Sequence, residues 1–225
     1  NRGGAVRVRD DALPPIPDRA SLSAEIDRLR IREKAHAREG RRQLIAYYFM
    51  WHAGHPAAEQ CEGCTWVTTQ VAELSYLHSR DITYAVFCQG PYPESARYRK
   101  FMGSEVPWYS ALPSLNGLLV GRQVGMMHIV CYVRQGDRVF ERYWTTRRGV
   151  EAMDYSLALM DLTVFGRQEP WEDSPPGWPQ TWEVDGSNTR VDGRPAAQWS
   201  RLLAGRSDDL RPAQNGGSSP VDGVE

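Results

Sequence analysis

The chain has 225 residues, of which 41% are hydrophobic and 24% charged, and its formal net charge is −1. This length fits one domain with appended segments and suffices to bury a core without disulfide cross-links. The near-zero charge gives no electrostatic basis for binding nucleic acid or an anionic membrane. No apolar run approaches the roughly 18 residues of a membrane span, and the polar start lacks the apolar core of a signal peptide. We therefore expect a cytoplasmic protein with neither nucleic acid nor membrane as a partner.

Residues 1–40 are predicted to form an N-terminal arm and one helix. The arm, residues 1–17, ends in LPPIP and is expected to be extended. From Asp18 onward, Leu22, Ile26 and Leu29 recur at helical spacing, and Gly40 ends the pattern. Apolar residues on one stripe with charges elsewhere indicate an amphipathic helix.

Residues 41–165 are predicted to form the main domain. Two apolar runs without alternation, 44–50 and 82–88, are typical of strands buried on both faces. A helical pattern over 65–80 lies between them, and a short helix, PYPESARYRKFMG, follows the second run. After a loop, MMHIVCYVRQ and RVFERYWTT flank Gly136-Asp137 as a hairpin, and GVEAMDYSLALMDLT is helical.

This element order predicts an α/β fold with a central mixed sheet of about four strands flanked by helices. The two buried runs, joined by a helix, should be parallel, and the hairpin over 127–144 should add antiparallel strands. The order is that of a thioredoxin-like fold.

The remaining residues, 166–225, have a different composition. They are rich in Pro, Gly and Asp and contain Trp171, Trp178, Trp182 and Trp199. We expect an extended tail whose last residues are disordered. Its first three tryptophans should be at least half buried, against their own domain or a neighbouring subunit. A homodimer through this tail is one way to cover them.

The chemistry-bearing stretch is residues 51–66, WHAGHPAAEQCEGCTW, with the spacing His-x2-His-x5-Cys-x2-Cys. A Cys-x2-Cys pair in a cytosolic protein indicates redox or metal chemistry. The pair should lie at the start of a helix beginning near Thr65, where the helix N-terminus stabilises a thiolate. Cys61 would be the nucleophile and Cys64 the resolving thiol, although Glu59 and Glu62 should raise a nearby thiol pKa.

A metal site is the alternative for the same pair. Thiolates combined with imidazole suit copper, zinc or iron. In a thioredoxin-like fold His128, which precedes the hairpin strand, would approach Cys61 and Cys64. His52 and His55 could replace or supplement it.

Aromatic residues crowd the same end of the predicted sheet, and Tyr48, Trp51 and Trp66 are the candidate substrate-binding residues. Cys88 and Cys131 fall in predicted buried strands and are interpreted as packing residues.

Several blocks carry a family resemblance: QLIAYYFM, CEGCTW, LHSRDITYAVF, FMGSEVPWYS, GDRVFERYWTTRRGVE and GRQEPWEDSPPGW. Over roughly residues 20–180 the chain resembles a bacterial thioredoxin-like family of unknown function, near the alkyl hydroperoxide reductase/thiol-specific antioxidant group. The resemblance implies a thioredoxin-like fold. Family members often have Cys-Pro-Gly-Cys where this chain has Cys61-Glu62-Gly63-Cys64, and Met126-Met127-His128 replaces the usual cis-proline region.

The sequence thus predicts a thiol-based oxidoreductase that needs no cofactor and acts on a protein disulfide, a peroxide or a small thiol compound. A metal-binding protein or metalloenzyme using copper, zinc or iron is the second hypothesis. A non-catalytic thioredoxin-fold binding module is the third.

Overall fold

The computed structural model describes residues 41–169, 171–179 and 189–211. The predicted arm and amphipathic helix, Trp182 and the predicted disordered end lie outside these residues. In the part of the chain that is described, no helix has the length and apolarity to cross a membrane.

A mixed five-stranded sheet forms the centre of the fold, in the spatial order β3-β2-β1-β4-β5. Its strands are β1 (Gln43–Phe49), β2 (Ile82–Cys88), β3 (Trp108–Ser110), β4 (His128–Gln135) and β5 (Arg138–Thr146). Strands β1, β2 and β3 are parallel, whereas β4 and β5 are antiparallel neighbours. The predicted parallel pair and the predicted hairpin are therefore confirmed.

The helices flank this sheet. They are α1 (Glu62–Thr69), α2 (Ser75–His78), α3 (Tyr92–Met102), α4 (Leu115–Leu118), α5 (Tyr155–Met160) and α6 (Ala197–Leu203). Short 3-10 turns cover Ala57–Glu59, Leu112–Ser114 and Arg147–Met153. The predicted helix over 65–80 is broken into α1 and α2, and α1 begins at Glu62 rather than near Thr65.

The sheet is covered on both faces, which explains the continuous apolar runs. Along β1, Tyr47 belongs to one buried cluster, with Cys64 and Val67 of α1. Its neighbours Ala46 and Tyr48 belong to a second cluster on the opposite face. Because side chains alternate between the two faces along a strand, a strand that is buried on both faces needs apolar residues at consecutive positions.

The fifth strand, β3, lies in a segment that the sequence indicates as a loop. Residues 108–110 pair in parallel with β2, and α4 follows them closely. Three residues are too few to show a strand period, so the pattern gave no signal. The sheet consequently has one more strand than predicted.

Residues 189–211 fold back on the domain instead of continuing as an extended tail. They form a two-stranded ribbon, β6 (Arg190–Val191) and β7 (Arg194–Pro195), followed by α6. Trp171 is 64% exposed on this single chain, so its own domain buries less than half of it; its burial against a neighbouring subunit stays a prediction. Trp178 packs edge-to-face on Phe165, with ring centroids 5.2 Å apart.

Candidate functional site

The two cysteines of the Cys-x2-Cys motif lie at the N-terminus of α1. Cys61 is the N-cap residue, and its Sγ accepts a hydrogen bond from the Cys64 backbone N–H at 3.4 Å. A sulfur at this position faces the unpaired N–H groups and the positive end of the helix dipole. The motif therefore folds locally into a setting that favours a thiolate at its first cysteine.

The two thiols have different environments. Cys61 is partly exposed, and its pKa is lowered, chiefly because the Cys64 side chain can donate a hydrogen bond to its thiolate. Backbone N–H groups of Cys64 and Gly63 add to this, while burial and the Glu62 carboxylate oppose it. Cys64 is fully buried, and burial raises its pKa well above the ordinary value. The backbone N–H of Met50 donates to Cys64 Sγ at 3.4 Å.

A buried glutamine, Gln60, organises the loop that leads to the cysteines. Its Oε1 accepts from the His52 backbone N–H at 3.1 Å, and its Nε2 donates to the carbonyls of His52 (2.9 Å) and His55 (3.1 Å). The ring Nδ1 of His52 lies 2.9 Å from the Glu59 carbonyl, and that of His55 lies 2.7 Å from the Glu59 carboxylate. Both imidazoles thus take part in contacts within the loop itself.

His128 does not approach the cysteine pair, contrary to the sequence prediction. It is opposite Tyr48 in the β1–β4 pairing, and so it shares the face of Tyr48, away from Tyr47 and Cys64. Its Nε2 donates to the Gln123 carbonyl at 2.8 Å, and its Nδ1 accepts from the Trp144 indole N–H at 3.1 Å. Burial lowers the His128 pKa, which agrees with a neutral ring whose two nitrogens are both engaged.

These placements leave the cysteine pair without the histidine ligand that the metal hypothesis expects. Within residues 41–169, 171–179 and 189–211, no three His, Cys, Asp or Glu side chains come together in an arrangement that could hold a metal ion. A zinc site takes three protein ligands when it is catalytic and four when it is structural. The described residues therefore do not fit a zinc site.

The three candidate substrate-binding aromatics do not form one wall. Tyr48 is buried on the opposite face, where its hydroxyl lies 2.9 Å from the hydroxyl of Tyr132. The Trp51 indole lies against Gly90 and donates to Glu94 at 2.9 Å. Trp66 donates to Ser156 at 2.7 Å and lines a cavity of about 240 Å³ that neither cysteine borders. Of the three, Trp51 packs against the cluster that contains the cysteine pair.

Of the other two cysteines, Cys88 is buried, as its predicted packing role requires, whereas Cys131 is only partly buried. All four cysteines are free thiols. Burial raises the pKa of Cys88 to about 12 and also raises the pKa of Cys131. A thiol that stays protonated at neutral pH is a poor nucleophile.

A chain of buried hydrogen bonds, which the sequence did not reveal, links the C-terminal segment to Cys61. The Gln198 amide donates to the Tyr98 hydroxyl at 3.1 Å, and the Tyr98 hydroxyl lies 2.6 Å from Thr65 Oγ1. Thr65 Oγ1 in turn donates to the Cys61 carbonyl at 2.7 Å. Gln198 also donates to the Ala57 carbonyl at 2.7 Å. The network fixes both ends of the segment between the 3-10 turn and α1.

Arg190 on β6 forms a second link to the same segment. Its guanidinium pairs with the Glu62 carboxylate, next to Cys61. It also donates to the carbonyls of Ala58 at 2.7 Å and Gln60 at 3.2 Å. Neither Arg190 nor Gln198 belongs to a motif. Both lie more than 120 residues along the chain from the residues that they contact between Ala57 and Glu62, so no local pattern could indicate them.

The fold and site define an α/β protein with a mixed sheet and a free cysteine pair at a helix N-terminus. The chain belongs to a family of bacterial proteins of unknown function (DUF899), whose model matches residues 33–184. No curated protein and no solved structure matches the chain.

Proposed function

We propose that the protein is a thiol-based oxidoreductase of the thioredoxin-like type, with Cys61 as the attacking thiolate and Cys64 as the resolving thiol. The asymmetry of the pair carries the proposal. Cys61 is partly exposed at the helix N-cap with a lowered pKa, whereas Cys64 is buried behind it with a raised pKa. An exposed thiolate backed by a protonated thiol is the arrangement that disulfide exchange requires.

The topology supports the thioredoxin-like assignment. The cysteine helix α1 follows β1 and precedes its parallel neighbour β2, and the antiparallel β4–β5 hairpin completes the sheet beside β1. Met127, immediately before β4, packs against the cluster that contains Cys64. Thioredoxins that exchange disulfides normally have a cis-proline just before the corresponding strand, and this chain has Met126-Met127-His128 there instead.

The reaction proposed for a disulfide substrate has two exchange steps. The Cys61 thiolate attacks one substrate sulfur, a mixed disulfide forms, and the other substrate sulfur leaves and takes a proton from solvent. Cys64 then attacks Cys61. The substrate sulfur that was bound to Cys61 leaves and takes the Cys64 proton, and the Cys61–Cys64 disulfide closes. The substrate gains two electrons and two protons in total. A dithiol reductant restores the pair by the reverse exchange.

A peroxide substrate uses the same residues. The Cys61 thiolate attacks one peroxide oxygen, the O–O bond breaks, and the other oxygen leaves as an alcohol or water after protonation. The resulting sulfenic acid condenses with Cys64, with loss of water, to give the same disulfide.

The test measures whether the pair cycles. Reduced protein is treated with hydrogen peroxide or with a small aromatic disulfide, and intact mass and free thiols are measured before and after dithiothreitol. We expect loss of two hydrogens and two thiols, restored by the reductant. Cys61→Ser should abolish this conversion, and Cys64→Ser should accumulate the mixed disulfide on Cys61. Cys131→Ser, outside the pair, is the matched control and should behave as wild type.

Two results would overturn the proposal. One is an intact protein in which Cys61 and Cys64 stay reduced under both oxidants. The other is a stoichiometric metal ion in protein purified without added metal that is lost in both Cys61→Ser and Cys64→Ser.

A further inference from the structure

The carboxylate of Glu62 lies beside the cysteine pair and opposes ionisation of Cys61. A negative charge near a thiol disfavours the thiolate. Glu62 nonetheless lies in the first turn of α1, immediately after the N-cap cysteine. A positive charge paired with Glu62 would reduce this opposition and favour the Cys61 thiolate further.

Arg190 carries a positive charge that is paired with Glu62. Its guanidinium pairs with Glu62, and each of the two side chains is only 23% exposed. An ion pair that is largely withdrawn from solvent is screened less by salt than a surface pair. The same guanidinium holds the carbonyls of Ala58 and Gln60, the residues that precede Cys61. This is a fork geometry that a lysine cannot reproduce.

We propose that Arg190 is a positioning residue of the cysteine site, which neutralises Glu62 and fixes the loop that carries Cys61. The proposal rests on the proposed role of Cys61 as a nucleophile. Arg190 lies beyond residues 33–184, the range that the family model matches. The C-terminal ribbon thus contributes to a site whose cysteines lie within that range.

The other titratable groups around Cys61 cannot replace this charge. Among the described residues, the groups that interact with it include Cys64 and Glu62 of α1, Tyr47 of β1 and Tyr98 of α3. Burial raises the pKa of both tyrosines, so they are neutral near pH 7. Of these neighbours only Glu62 carries a full charge when Cys61 ionises, and Arg190 is its partner.

The test is the pH profile of iodoacetamide alkylation at Cys61, located by peptide mass and measured on the full chain. Arg190→Gln should move the profile to higher pH and slow alkylation at pH 7 about twofold to fivefold, since the gain in intrinsic nucleophilicity partly offsets the lost thiolate. Glu62→Gln should move the profile to lower pH. In the Glu62→Gln background, Arg190→Gln should have a much smaller effect.

Two further variants separate charge from structure. Arg190→Lys keeps the charge beside Glu62 but loses the fork to the two carbonyls, so it should retain most of the wild-type pH profile, which reports the charge, while lowering stability. Arg211→Gln removes one positive charge at an exposed site that pairs with Asp209, and it should leave the profile unchanged. If Arg190→Gln fails to fold by circular dichroism, Arg190→Lys and Glu62→Gln still test the charge relation.

The proposal is overturned if Arg190→Gln matches Arg211→Gln, or if its shift is equal in both Glu62 backgrounds. It is also overturned if Arg190→Lys behaves like a folded Arg190→Gln, or if Glu62→Gln leaves the profile in place. Alkylation does not require turnover. A shifted profile in a protein whose pair never forms a disulfide would refute the oxidoreductase function but not the role of Arg190.

Discussion

Replacing Gln198 by Leu tests whether the C-terminal segment stabilises the cysteine loop. Gln198 is completely buried on α6. Leu keeps most of the side-chain volume but removes the amide, which donates to the Ala57 carbonyl and the Tyr98 hydroxyl and accepts from the Arg194 guanidinium at 3.1 Å. The substitution therefore isolates the hydrogen bonds from the packing.

The expected loss follows from the lost hydrogen bonds. Ala57 is 1% exposed, and after the change its carbonyl keeps only the bond from the Gln60 backbone N–H at 3.3 Å. A net hydrogen bond contributes about 0.5–1.5 kcal/mol, and the substitution removes three of them. The Tyr98 hydroxyl keeps its contact with Thr65 and loses less. We expect the free energy of unfolding to fall by about 2–4 kcal/mol.

Urea unfolding followed by tryptophan fluorescence measures this change, with an unchanged m-value showing that the two-state comparison holds. Gln123→Leu is the matched control, because it makes the same substitution at an exposed position. It should stay within about 0.5 kcal/mol of wild type. A Gln198→Leu protein as stable as the control would refute the claim that these bonds hold the loop.

Three further predictions concern other positions. Gly90→Ala should destabilise the protein by about 1–3 kcal/mol, because the new Cβ would lie 1.9 Å from a Trp51 side-chain atom. Gly63→Ala is the control, since a Cβ there meets open space. Equal urea midpoints for the two variants would contradict this prediction. Tyr48→Phe should lower stability by about 1–2 kcal/mol yet leave Cys61 alkylation unchanged, since Tyr48 lies on the opposite face; altered alkylation would contradict that placement. Burial raises the pKa of Asp154, so its carboxylate costs stability above that pKa and recovers it as the pH falls. The change in the free energy of unfolding caused by Asp154→Asn, measured by urea unfolding, should therefore be more favourable at pH 7 than at pH 4. An equal change at both pH values would refute this.

Local sequence patterns determined the central strands and the place of the cysteine pair. The runs at 44–50 and 82–88 lack polar interruptions because both sheet faces are covered, and this property is visible residue by residue. Cys61 and Cys64 are three residues apart, so the helix start that joins them is a local structure as well.

Tertiary structure alone decided which side chains join the pair. Strand register sets the face of each residue with a period of two, so a shift of one position would have turned His128 towards Cys64. The register observed places it beside Tyr48 instead. Arg190 and Gln198 reach the cysteine loop only because the chain folds back after residue 189, across a sequence separation that no periodic pattern spans. Contacts of this kind depend on how packed elements meet, which is a property of the whole fold rather than of any one segment.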